Sequence, residues 1–72
     1  MPLLFSSVGT EVEIISVRGT PEVKQHLIDM GFSNGSKVTV IQKIASGLIV
    51  KVKESRIALD KNMAAKIQVN GI

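Results

Sequence analysis

Between Leu27 and Val40 the chain passes from helix grammar to strand grammar across two glycines, and few small folds accommodate such a junction. Upstream, Val23, Leu27 and Met30 recur at helical spacing. Downstream, Val38 and Val40 alternate with Lys37 and Thr39 as the residues of a half-buried strand do. Gly31 stands where a helix calls for a left-handed cap residue, and Asn34-Gly35 supplies two residues tolerant of positive φ just before the strand.

The elements around this junction follow from similar signals. Glu11 to Val17 alternates Val12 and Ile14 with Glu11 and Glu13, a strand with one wet face, and the Ile14-Ile15 doublet predicts a bulge or a second contact. Arg18-Gly19 ends it. Thr20 as N-cap, Pro21 at the first helical position and Glu22 in the first turn predict a helix running through Met30. Beyond the junction, Ser36 to Ile44 reads as a long strand and Ala45-Ser46-Gly47 as a three-residue turn. The chain returns from Leu48 to Lys53 with Leu48, Val50 and Val52 inward. Glu54-Ser55 reverses it into Arg56 to Leu59. A single helical turn follows from Asp60 to Met63 or Ala64, and Ala65, Ile67 and Val69 alternate in a last strand. Pro2 to Phe5 is expected as a short edge segment. About five strands with one short helix after the first main strand are too few for a sandwich. The fold class is therefore mainly β, a small barrel whose closure removes free edges.

Size permits a single domain over residues 1–72, and 44% hydrophobic with 21% charged residues is a globular composition. The absence of cysteine removes disulfides, thiolate metal sites and thiol nucleophiles. No apolar run approaches the roughly 20 residues that cross a bilayer. Met1 to Phe5 lacks the basic start and the roughly 7–15-residue core of a signal peptide, so the expected location is cytoplasmic and not membrane-spanning. Nine Lys and Arg against six Asp and Glu leave a net charge of +3, without any block of like charges.

Taken together these residues resemble the FeoA family, small cytoplasmic proteins of bacterial ferrous iron uptake with an SH3-like barrel. The resemblance rests on Gly9 before Val12-Glu13-Ile14, on Leu27 followed by Met30-Gly31-Phe32, on Gly35 before Val38-Thr39-Val40, and on Ile57-Ala58-Leu59 followed by Ala64 and Ile67. The C-terminal barrels of iron-dependent repressors are similar too. Asn34 stands where a proline commonly precedes the glycine, the Ala45-Ser46-Gly47 loop is short, and Glu54 replaces a common turn glycine.

Catalysis has little to work with. There is one histidine, no cysteine and no tyrosine, and no serine in a nucleophile-elbow or phosphate-loop pattern, so the chain reads as a non-enzyme without cofactors. Glu22, His26 and Asp29 recur along one helix stripe and invite a weak divalent metal, although a wet helix face is the plainer reading and no metal ligand is assigned. Lys37, Lys43, Lys51 and Lys53 point outward as a basic strip. With two Phe and no Tyr or Trp to stack on bases, nucleic acid is not the expected partner. A partner protein suits Leu27, Met30 and Phe32 beside the Gly31 cap, where a helix leaning on a barrel leaves an apolar crevice, with Arg18 in the preceding loop. Arg18 also invites an arginine-finger role toward a partner's nucleotide, against an ordinary surface role. The resemblance implies the partner: the cytoplasmic region of FeoB, the membrane permease with a GTPase domain. The rival is a regulatory or nucleic-acid-binding barrel of the repressor type.

Overall fold

Alternation of buried and exposed side chains along five strands sets the sheet. The computed structural model describes residues 1–72 and contains β1 (Glu11–Val17), β2 (Lys37–Ile44), β3 (Gly47–Val52), β4 (Ser55–Asp60) and β5 (Ile67–Gly71). All pairings are antiparallel, in the order β4-β3-β2-β1-β5. Val12 and Ile14, Val38 and Val40, Leu48, Val50 and Val52, and Ile67 and Val69 face inward and are buried. The expected bulge is present: the β1–β5 register shifts between Ile14 and Ser16, which leaves Ile15 outside the ladder and substantially exposed.

Helix α1 (Pro21–Asp29) begins as its sequence dictates, with the Thr20 hydroxyl accepting the Val23 N–H at 3.3 Å. Its end is a complete Schellman motif. The Gly31 N–H donates to the Ile28 carbonyl and the Phe32 N–H to the Leu27 carbonyl, both at 2.9 Å, while Gly31 holds φ at +108°. At Asn34-Gly35 only the glycine uses the positive φ that the pair permits.

Four expectations need correction. The N-terminal segment is not an edge strand beyond its first residues: Leu3–Phe5 forms a 3-10 turn because Leu3 plugs the core. The β2–β3 turn has two residues, Ala45-Ser46, since Gly47 already pairs with Ile44 as the first residue of β3. The β3–β4 turn is Lys53-Glu54, with Val52 paired to Ser55. Finally, the turn after β4 is a six-residue helix, α2 (Lys61–Lys66), in which Ala64 is buried and Ala65 exposed, so the last strand starts at Ile67. The Asp60 carboxylate caps it by accepting the Met63 N–H at 2.7 Å, and two alanines favour its continuation.

Closure is also achieved differently from a continuous ladder. β4 and β5 are the two ends of the sheet order and do not pair with each other. Helix α2 joins them, packing on the 3-10 turn, β3, β4 and β5.

Candidate functional site

The Schellman end of α1 decides what the junction offers to a partner. In that motif the residue two beyond the cap packs back on the last helical turn, and here Phe32 and Leu27 are both 0% exposed. The expected crevice of Leu27, Met30 and Phe32 is therefore not open: two of its three apolar members belong to the core. Met30 is partly buried and packs against that core. Arg18 is exposed in the loop between β1 and α1, with its backbone N–H donating to the Lys66 carbonyl at 2.8 Å. Of the four residues expected at a partner site, Arg18 and the exposed part of Met30 are accessible.

Sequence reasoning missed the neighbouring surface. Ser16, Val17, Lys24, Ile28 and Asn34 line a shallow groove between the end of β1 and α1. Ile28 is 44% exposed there, and Ile15 on β1 is 42% exposed. Both carried a signal. Ile28 lies off the Val23, Leu27, Met30 stripe, so burial of that stripe turns it outward; in the Ile14-Ile15 doublet only one side chain can face the core.

The lysine strip forms in part. Lys37, Lys51 and Lys53 line an open groove with Glu11, Gly35 and Thr39. Cross-strand register explains the grouping: Glu13 faces Lys37, Glu11 faces Thr39, and Thr39 faces Lys51 on the exposed side of the sheet. Lys43 stays apart, paired with Leu48 nearer the β2–β3 turn. No hydrophobic side chain lines the groove, so it lacks a stacking platform for bases.

Glu22, His26 and Asp29 do not assemble as ligands. Nowhere do three His, Asp or Glu side chains converge as a metal site requires, and the Asp29 carboxylate instead accepts from the Gln25 amide at 2.8 Å. No helix is long and apolar enough to cross a membrane.

Comparison with known proteins agrees with this architecture. Residues 1–71 match the model of the FeoA domain. A Methanocaldococcus jannaschii protein described as a candidate Fe(2+) transport protein A is 35% identical over 94% of the chain and 83% of its own length. A crystal structure of an iron uptake regulatory protein, FeoA, superimposes with a TM-score of 0.92 at 25% identity, covering 100% of this chain and 97% of that one. The zinc complex of Stenotrophomonas maltophilia FeoA, described as an SH3-domain protein and a candidate activating factor of ferrous iron transport, gives a TM-score of 0.83 at 26% identity over 97% and 89% of the two chains. A manganese-dependent transcriptional repressor, 17% identical, shares the fold alone.

Proposed function

The chain belongs to the FeoA family, and on that premise we propose that this SH3-like ferrous iron transport protein is a non-enzymatic cytoplasmic module that docks on the cytoplasmic region of the FeoB permease. The observation that carries this reading is the groove between β1 and α1, lined by Val17 and by Ile28, which leaves 44% of its surface exposed there, with the exposed Ile15 on the same strand β1. Apolar side chains at a groove gain free energy when a partner removes them from water, at about 25 cal/mol per Å² of buried apolar area. Arg18 and Met30 flank this surface in sequence; Leu27 and Phe32 act from beneath, by holding α1 in place. Docking biases the permease only to the extent that affinity differs between its nucleotide states.

Titrating the isotope-labelled chain with the cytoplasmic part of the permease, with and without guanine nucleotide, tests the proposal. Amide shifts are expected at residues 15–18 and 24–34, and Ile28→Glu should weaken binding about tenfold by placing a charge in an apolar contact. Shifts confined to Lys37, Lys51 and Lys53, or none, would overturn it. The lysine groove favours a second reading, binding of nucleic acid as in a regulatory barrel. That binding would weaken steeply with added salt, whereas docking through the isoleucines would not.

A further inference from the structure

The two edges of the sheet are treated differently. The outer edge of β5 is covered, because the Val69 N–H donates to the Met1 carbonyl at 2.7 Å and Pro2 bridges to Gln68. The outer edge of β4 is not. In a hairpin closed by a two-residue turn, hydrogen-bonded and non-hydrogen-bonded pairs alternate from the closing pair. Val52 with Ser55, Val50 with Ile57 and Leu48 with Leu59 therefore use their backbone groups within the hairpin. Arg56, Ala58 and Asp60 point theirs away from β3. No backbone hydrogen bond outside the regular elements involves Arg56 or Ala58, both side chains are exposed, and β4 packs extensively only on β3 and α2.

We propose that β4 pairs antiparallel with β4 of a second copy of this chain, with Ala58 on the two-fold axis. The sequence Ser55-Arg56-Ile57-Ala58-Leu59-Asp60 is self-complementary about that residue. Arg56 then stands opposite Asp60 of the second copy, and Asp60 opposite its Arg56. Ala58 exchanges both backbone hydrogen bonds with its mate, and its methyl group permits close approach at the axis. Among registers centred on a residue whose backbone groups point outward, those on Arg56 or Asp60 bring like charges face to face, and only the one on Ala58 sets Arg56 opposite Asp60.

Arg56 supports the assignment from a second direction. Within its own sheet it lies opposite Lys51, a like-charge cross-strand pair that is unfavourable as it stands. The second copy supplies the missing carboxylate. Asp60 can serve both roles, since one carboxylate oxygen caps α2 and the other remains for the guanidinium. Ile57 and Leu59 stay turned toward their own core, so pairing extends the sheet without reopening either barrel. One short strand from each copy makes a small contact, which places the pair among reversible associations.

Sedimentation equilibrium of the full chain from about 10 μM to 1 mM, the range where weak pairs dissociate, should give a monomer–dimer equilibrium. Amide shifts that depend on concentration should centre on Arg56, Ala58 and Asp60, and exchange of the Ala58 N–H should slow as the dimer fills. Arg56→Glu sets like charges opposite and should raise the dissociation constant at least tenfold, while Arg56→Lys retains most of the association. Ala58→Pro removes the central donor and should abolish pairing; circular dichroism checks that it folds, and the Arg56 variants decide if it does not. A chain that stays monomeric throughout the range, or a dimer whose dissociation constant changes less than tenfold with Arg56→Glu, overturns the proposal. Titration of Arg56→Glu with the permease domain separates this surface from the groove beside α1: unchanged binding there leaves the docking reading intact whatever the dimer does.

Discussion

Of the six glycines, Gly47 has the least room for a side chain. A Cβ there would collide with the Leu59 carbonyl oxygen and come within 2.8 Å of the Asp60 Cα, and neither is a side-chain end that can swing aside. Gly47→Ala should therefore cost about 3 kcal/mol or more, read from the urea midpoint, because the β3–β4 ladder must shift. Lys53 shows the opposite case, a residue less suited to its place than glycine. It holds φ at +55° in the β3–β4 turn, where an L side chain is strained. Lys53→Gly should stabilise the fold by about 0.5–1 kcal/mol, the cost of the left-handed conformation less the entropy that glycine adds to the unfolded chain. At this scale the sequence was readable where chemistry is local. Gly31 and Gly35 announced their positive φ, and Ile14-Ile15 announced the bulge. The burial of Leu27 and Phe32 was not readable in full, because the helical stripe says which way a side chain points and not how closely the barrel approaches it.

Two caps govern the helices. Thr20 opens α1 through the Val23 N–H and Asp60 opens α2 through the Met63 N–H. Helix α2 joins the end strands of the sheet, so its cap bears on closure as well as on helix content. Asp60→Ala should cost about 1 kcal/mol in thermal unfolding at low protein concentration. The elements themselves were largely legible: β1 has the bounds its alternation predicted, and α1 stops at Asp29, one residue short of the expected end, with Met30 as its C-cap. Misjudged elements were those whose limits depend on distant partners. Leu3 enters the core and winds its neighbours into a 3-10 turn, and Gly47 joins β3 because Ile44 lies across from it. Ala65 fits strand alternation as well as helix, and only the burial of its neighbour Ala64 under the barrel decides between them.

The outer face of β1, β2 and β3 is graded in charge, acidic on β1 through Glu11 and Glu13 and basic through Lys37 on β2, Lys51 on β3 and Lys53 in the β3–β4 turn. Such a surface orients an approaching partner as well as contributing contacts, which is how small modules gain selectivity without large interfaces. The order and spacing of the elements carried the family, and alternation carried the lysine strip, yet the groove of Ser16, Val17, Lys24, Ile28 and Asn34 emerged only when β1 and α1 were placed side by side. The core contains one aromatic ring, Phe32, in a chain without Trp or Tyr, and Phe5 is 66% exposed. That ring makes the helix-to-strand junction its own spectroscopic reporter. Methyl protons stacked on it are shifted upfield by its ring current, so they register any partner that pulls on α1. The tryptophan fluorescence of such a partner can be followed free of background from this chain.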